Sequence, residues 1–114
     1  MYHWQLELLK HILHECNFLI DKSNNLSEEA FYKDDILQRA FIRSLEIIGE
    51  AATKSDPEFI LNYPQIPWKL MRGLRNRLIH QYFDVDYEIL WQVIKIEIPE
   101  VKSFVESLIE SNLK

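Results

Sequence analysis

The 114-residue sequence has few of the residues that make tight turns or covalent links: two glycines, four prolines and one cysteine. Because Cys16 is the only cysteine, an intrachain disulfide and a thiolate metal cluster are excluded, and a reducing, cytoplasmic compartment is expected. The N-terminus lacks the basic and apolar segments of a signal peptide, and no apolar run approaches the ~20 residues that span a bilayer. We therefore expect one globular domain over residues 1–114, with long elements and no membrane contact.

Positive charge is also scarce, since 18 acidic residues outnumber 13 lysines and arginines and leave a net charge of −5. This balance argues against broad, nonspecific coating of nucleic acid, but it leaves room for a local basic groove. His11 and His14 have the spacing of metal ligands on a helix, with Glu7 and Glu15 nearby, yet no further ligand cluster accompanies them. The sequence therefore predicts no metal site.

Apolar residues recur at spacings of three and four, which predicts an all-α fold. Either Ser27 or Asn25 suits the cap that begins a short helix, and Asp86 suits the cap of a later one. Residues 57–66 are expected to form a loop and residues 84–86 a turn. Short connections favour an antiparallel up-and-down bundle of four long helices plus short ones. Residues 94–98 alternate between apolar and polar, so a strand would be expected there if the chain had one. Helices are predicted over about 2–21, 34–54 and 67–83, followed by two collinear or kinked helices over 87–97 and 99–112 that Pro99 separates.

Gly49 lies inside the second long helix, where a glycine costs about 1 kcal/mol relative to alanine, so we expect another helix to approach closely there. Glu46 and Glu50 flank it, one turn apart. Two interpretations of this pair stay open: a solvated helix face, or a carboxylate that orients a basic side chain across an interface. The buried face of this helix is predicted to contain Ile36, Leu37, Ala40, Leu45, Ile47, Ile48 and Ala51.

The run from residue 72 to residue 86 concentrates basic residues in an acidic chain. On a continuous helix, Arg72, Asn76 and His80 would share one stripe, with Arg75 beside it. His80 can exchange a proton near neutral pH, and an arginine can bind phosphate through two N–H groups. The pattern indicates phosphodiester chemistry, but helices also commonly end in basic residues because of the helix dipole.

The same run resembles a known protein family. Arg75, Asn76, His80 and Tyr82 are similar to the Arg-x4-His-x-Tyr signature of HEPN domains (higher eukaryotes and prokaryotes nucleotide-binding), and most closely to the HepT-like branch. The similarity keeps its order over most of the chain. Its flanking segments are residues 45–52, 63–68, 80–86 and 90–91, together with Pro99.

The resemblance implies an endoribonuclease toxin that needs no metal or other cofactor and acts on RNA. It implies a helical homodimer whose two signature helices face each other across a cleft. It also implies a partner, a minimal nucleotidyltransferase antitoxin that would use ATP to add AMP to Tyr82.

Within that resemblance each signature residue has an expected role. His80 is expected to act as general base or acid, and Arg75 to hold the phosphate in the transition state. Asn76 would orient the His80 ring or donate a hydrogen bond to the phosphate, while Arg72 and Arg77 would steer RNA. Two other interpretations remain: a noncatalytic HEPN-like module that binds a nucleotide or the nucleotidyltransferase, and a plain helical dimerisation domain.

Overall fold

A computed structural model describes residues 1–81 and 84–113, without the side chains of His80, Gln81 and Leu113. Nearly all of the described chain is helical, which confirms the predicted all-α class. The elements are α1 (His3–Ser23), α2 (Glu28–Tyr32), α3 (Asp35–Thr53), α4 (Pro57–Asn62), α5 (Trp68–Arg72), α6 (Leu74–Leu78), β1 (Ile79–Gln81), β2 (Asp84–Val85), α7 (Tyr87–Gln92), a π-helix (Val93–Glu97) and α8 (Ile98–Leu113).

Helix α1 is the centre of the bundle and packs against both α3 and α8. Its first turn lies beside the end of α3, since the Gln5 amide donates a hydrogen bond to the Ser55 hydroxyl and accepts one from the Asp56 amide. Its last turn lies beside the π-helix, where the Lys95 ammonium donates to the Ser23 carbonyl. These contacts make α1 antiparallel to both neighbours, as predicted. Its fully buried apolar side chains are Leu9, Ile12, Cys16 and Leu19.

The buried face of α3 is rotated from the predicted one. Ile36 was expected in the core but is 79% exposed, whereas Gln38 and Ser44 are buried. Both polar side chains are satisfied, because Gln38 donates to two backbone carbonyls of α2 and Ser44 to one of α1. Burying a hydrogen-bonded amide or hydroxyl carries little penalty, so an apolar pattern alone misplaces this face.

Local capping signals are confirmed where they were predicted. The Ser27 hydroxyl accepts from the Ala30 amide at the start of α2, and the Asp86 carboxylate accepts from the Ile89 amide at the start of α7. The loop predicted over residues 57–66 is wrong in its first half, which forms α4. Proline is favoured in a first helical turn, and the buried side chain of Phe59 holds this short helix to the core.

The third predicted helix ends earlier than expected. It is interrupted at Gly73 and stops at Leu78, after which Ile79 is extended and β1 pairs antiparallel with β2. The Asp86 amide donates to the Leu78 carbonyl at 2.9 Å, so the chain that follows β2 caps the C-terminal end of α6. The backbone of His80 therefore lies in β1, and the predicted stripe of Arg72, Asn76 and His80 on one helix is wrong.

The predicted break at Pro99 and the possible strand over residues 94–98 are also corrected. The chain is helical from Tyr87 to Leu113, with the π-helix just before the proline. Within it the Ile98 amide donates to the Val93 carbonyl, five residues back. This wider turn lets the helix pass a residue that has no N–H donor. None of the helices in residues 1–81 and 84–113 is long and apolar enough to cross a membrane.

Candidate functional site

A cleft of about 260 Å³ lies between α3 and the broken helix α5–α6. Three of the predicted site residues, Arg72, Arg75 and Asn76, lie on its α5–α6 side. Leu74 and Leu78 on the same segment are buried, so these polar neighbours are left at the surface. The α3 side of the cleft is formed by Leu45, Glu46, Gly49, Glu50, Thr53 and Lys54.

The floor of the cleft depends on Gly49, because a Cβ atom built there would lie 3.0 Å from the backbone carbonyl oxygen of Met71. That separation is tighter than in nearly all real Cβ contacts, so any other residue would require α3 or α5 to shift slightly, whereas glycine lets the two helices come this close. The predicted close helix approach is therefore confirmed. It brings the carboxylates of α3 within reach of the arginines that follow Met71.

An ion pair crosses the cleft from α3 to α6. Arg75 Nε lies 3.5 Å from Glu46 Oε2, and the Glu46 side chain is 28% exposed whereas that of Arg75 is 60% exposed. The contact fits the second interpretation of the glutamate pair, in which a carboxylate meets a basic side chain across an interface. Glu50 instead pairs with Arg43 of its own helix, 3.3 Å away.

The cleft is positive although the chain as a whole is negative. Its three cations, Lys54, Arg72 and Arg75, face two carboxylates that are both already paired. Arg72 Nε donates to the Trp68 carbonyl at 3.4 Å, which holds the base of its guanidinium against α5. A group that carries a phosphate therefore meets a local excess of positive charge here.

The remaining predicted residues are not all brought to this cleft. Arg77 turns to the other face of α6, where its Nη1 donates to both carboxylate oxygens of Glu97 at 2.9 and 3.0 Å. His80 follows the cleft in sequence, in β1, and its side chain lies outside the described residues. Tyr82, the predicted site of AMP addition, lies outside them too.

Comparison with known proteins identifies the family. The protein-family model "HepT-like", described as "Ribonuclease HepT-like", matches residues 7–108, which are most of the chain. The chain belongs to the HepT-like ribonuclease family. No solved structure matches it.

Named relatives support this membership in the HepT-like family. "Putative RNase TTE0752" of Caldanaerobacter subterraneus subsp. tengcongensis is 48% identical over 102 residues, which are 90% of this chain and 91% of that protein. "Putative RNase MJ0127" of Methanocaldococcus jannaschii is 42% identical over 99 residues, 87% of this chain and 82% of its own. "Probable ribonuclease HepT" of Thermococcus cleftensis is 37% identical over 102 residues, 90% and 93% respectively. Membership supports nuclease activity and RNA as the substrate class.

Sequence reasoning missed two cleft residues of this HepT-like chain, Thr53 and Lys54. Neither residue was predicted to belong to the site. The signal was available, since Glu46, Glu50 and Lys54 follow one another at intervals of four and therefore share one face of α3. Only the identity of the facing helix was lacking.

One other hollow of the HepT-like structure does not suit this chemistry. A second hollow of about 410 Å³ is lined by the carboxylates of Asp56 and Glu58 and, among its described residues, by no lysine or arginine. Its two carboxylates make this hollow less suited to a phosphate than the Arg75 cleft. Within residues 1–81 and 84–113, no three His, Cys, Asp or Glu side chains come together to hold a metal ion.

Proposed function

We propose that this chain is an endoribonuclease toxin that cleaves RNA without a metal ion at the Arg75 cleft. The observation that carries the proposal is the gathering of Arg72, Arg75 and Asn76 in one positive cleft of an acidic chain of the HepT-like family. Guanidinium and amide N–H groups are the donors that bind phosphate oxygens, and they stabilise the charge that builds on a five-coordinate phosphorus.

The reaction needs two proton transfers and one displacement. The 2′-oxygen of the ribose loses its proton to a base and forms a bond to the adjacent phosphorus, while the bond from phosphorus to the 5′-oxygen breaks. The leaving 5′-oxygen takes a proton from an acid, so the products are a 2′,3′-cyclic phosphate and a 5′-hydroxyl. An imidazole near its pKa at working pH serves either role.

Each chain carries one signature histidine, His80, and one imidazole is not both acid and base at the same moment. We propose that two chains form a dimer in which one His80 accepts the 2′-proton and the other donates to the 5′-oxygen. Arg75 holds the phosphate between them, and Asn76 orients the histidine or donates to a phosphate oxygen.

The proposed regulator is a minimal nucleotidyltransferase antitoxin that acts on Tyr82 in the cytoplasm. The phenol oxygen of Tyr82 attacks the α-phosphorus of ATP, the bond to the β-phosphate bridge breaks, and pyrophosphate leaves with the phenol proton released to water. The added AMP brings bulk and negative charge, which would compete with RNA for the arginines.

The first experiment measures cleavage of a fluorophore- and quencher-labelled RNA in the presence of EDTA. We expect the wild-type chain to cleave it and to leave 2′,3′-cyclic phosphate ends. His80→Ala and Arg75→Ala should each abolish cleavage while retaining the helical circular dichroism spectrum. Equal cleavage by wild type and His80→Ala would identify a contaminating nuclease and overturn the proposal.

A second experiment tests the antitoxin by intact mass after co-expression with a minimal nucleotidyltransferase, taken from the adjacent reading frame if that frame encodes one. Gains in steps of one AMP are expected, and they should disappear in Tyr82→Phe. Unmodified chain from an active transferase would remove the antitoxin from the proposal and leave the ribonuclease in place.

The alternative function is a noncatalytic module that binds a nucleotide or the transferase. The same cleft favours it, since Lys54, Arg72 and Arg75 suit the phosphates of a free nucleotide as well as those of RNA. It predicts binding of ATP or AMP that is lost in Arg75→Ala, with no turnover of RNA by the wild-type chain.

A further inference from the structure

The ion pair across the cleft engages one edge of the Arg75 guanidinium. The closest approach of Glu46 to Arg75 is at Nε, 3.5 Å from Oε2. A carboxylate beside Nε does not occupy the terminal edge of the guanidinium, which is formed by one N–H from each of the two Nη atoms. That terminal edge is the one that binds two oxygens of a phosphate at once.

Arg77 shows the opposite arrangement on the same helix. There Glu97 takes the terminal nitrogen itself, since Nη1 donates to both carboxylate oxygens. An arginine held in this way presents less of its terminal edge to a ligand. The two acids thus give two neighbouring arginines of α6 different accessible donors.

Glu46 is well placed to fix a side chain because it is itself held. Its side chain is only 28% exposed, and it projects from the middle of α3 beside the close contact at Gly49. Arg75 is 60% exposed and lies on the five-residue helix α6, so its long side chain would otherwise sample many rotamers.

We propose that Glu46 is a positioning residue for ribonuclease catalysis: it holds Arg75 side-on so that the terminal guanidinium edge meets the scissile phosphate. The inference rests on the proposed function and assigns Glu46 no contact with RNA. Its negative charge also opposes phosphate binding, so it improves the orientation of Arg75 at some expense in affinity.

These two effects separate in steady-state kinetics. Glu46→Ala should lower kcat by about tenfold to a hundredfold, because a misplaced contact to the reacting group has effects of that size. KM should stay the same or fall, since a carboxylate has been removed from the cleft. Glu46→Gln keeps the size and one acceptor oxygen, so its kcat should lie between those of wild type and Glu46→Ala.

Two control variants distinguish orientation from charge and from general loss of an ion pair. Glu50→Ala removes a carboxylate from the same cleft but leaves the pair of Glu46 and Arg75 in place, so it measures the effect of charge alone: KM should fall, and kcat should fall less than in Glu46→Ala. Glu29→Ala breaks an exposed ion pair with Lys33 on α2, far from the cleft, and should change neither constant.

A double variant tests whether Glu46 acts through Arg75. In an Arg75→Lys background there is no planar fork to orient, so adding Glu46→Ala should lower kcat by less than threefold beyond the single variant. An equal loss in both backgrounds, or a kcat for Glu46→Ala equal to that of Glu50→Ala, would overturn the inference while leaving the ribonuclease proposal intact. A wild-type chain without cleavage would overturn both. If Glu46→Ala fails to fold, Glu46→Gln decides the matter by the same comparison.

Discussion

At the scale of single residues, the structure separates Arg72 from Arg77, which the sequence treats alike. Arg72 lines the positive cleft, whereas Arg77 is held by Glu97 on the opposite face of α6. An arginine whose terminal nitrogen is already paired, as in Arg77, gains less from a phosphate, because binding must first break that pair.

We predict that Arg72→Ala weakens RNA binding more than Arg77→Ala does. The measurement is the Kd of an uncleavable 2′-deoxy oligonucleotide at several salt concentrations. Loss of one phosphate contact should reduce the slope of log Kd against log salt by about 0.7 for Arg72→Ala and by clearly less for Arg77→Ala. Arg39→Ala, which removes an exposed arginine paired with Asp35, is the matched control. Equal slopes for Arg72→Ala and Arg39→Ala would contradict the role of Arg72.

Cys16 offers a prediction about pH. Burial raises the pKa of its thiol from 9.0 to about 12, the largest cause being desolvation. The unfolded chain therefore loses this proton above pH 9.0 while the folded chain retains it. Since the unfolded state binds fewer protons, the free energy of unfolding should fall as pH rises from 9.0 towards 12, by up to ~1.4 kcal/mol per pH unit.

The check is urea unfolding of wild type and Cys16→Ala across that range. The contribution of the Cys16 thiol is the difference between wild type and Cys16→Ala in the slope of unfolding free energy against pH. The smaller alanine side chain lowers the unfolding free energy by the same amount at every pH and does not affect this slope. The native thiol should also resist thiol reagents at mildly alkaline pH and react once the chain is unfolded, because the thiolate is the reactive form. Rapid labelling of the native protein would contradict the assignment.

Whether the sequence can predict the contact of a residue depends on how far along the chain its partner lies. Helix caps such as Asp86 need only the next turn, so they were predictable. The contact between Glu46 and Arg75 was partly predictable, since a carboxylate beside an in-helix glycine indicates an interface. The partner of Arg77 was not, because Glu97 is twenty residues away and reaches it only through the fold.

At the scale of elements, the contact of α3 with α5 determines whether the cleft exists. We predict that Gly49→Ala destabilises the chain, because the new methyl group would lie 3.0 Å from the Met71 carbonyl oxygen. Overpacking of this kind costs about 1–3 kcal/mol, and the better helix propensity of alanine offsets about 1 kcal/mol of it. Urea unfolding followed by circular dichroism measures the net loss.

Gly73→Ala is the matched control for that experiment. A Cβ there meets the Lys69 carbonyl oxygen at 3.3 Å within the same helical segment, so a small adjustment accommodates it. Its change in unfolding free energy should be within about 0.5 kcal/mol. If Gly49→Ala proved as stable as wild type, α3 and α5 would be free to separate and the cleft would not depend on this glycine.

The long helices were predictable to within a few residues because their apolar periodicity extends over several turns. The end of α6 was not, since residues 79–81 continue a plausible helical pattern and leave it only by pairing with β2. Pro99 was read as a break because the π-helix that accommodates it has no signature in the periodicity. In both places the conformation of a few residues is determined by a tertiary contact or by a rare helical turn rather than by their intrinsic helix or strand propensity.

At the scale of the whole molecule, one chain brings together phosphate-binding groups but supplies a single signature histidine. The short connections and antiparallel packing of α1 with α3 and α8 leave the Arg75 cleft between α3 and α5–α6 at the surface of the bundle. A second chain, related to the first by a two-fold axis, would supply the second histidine at the same cleft. Two-fold symmetry is the commonest symmetry of small oligomers. We propose this dimer on two grounds, the family resemblance and the two proton transfers that the proposed reaction requires.

A mixing experiment tests whether two chains share one catalytic site. Wild type and His80→Ala are combined at increasing proportions, allowed to exchange partners, and assayed with excess RNA. If both histidines act in one reaction, only wild-type pairs cleave, and an equal mixture should retain about a quarter of the activity; if each chain acts alone, about half remains. Light scattering on the same samples establishes whether a dimer is present. A linear loss of activity with the wild-type fraction would contradict the shared site, because each histidine would then act as both acid and base in turn.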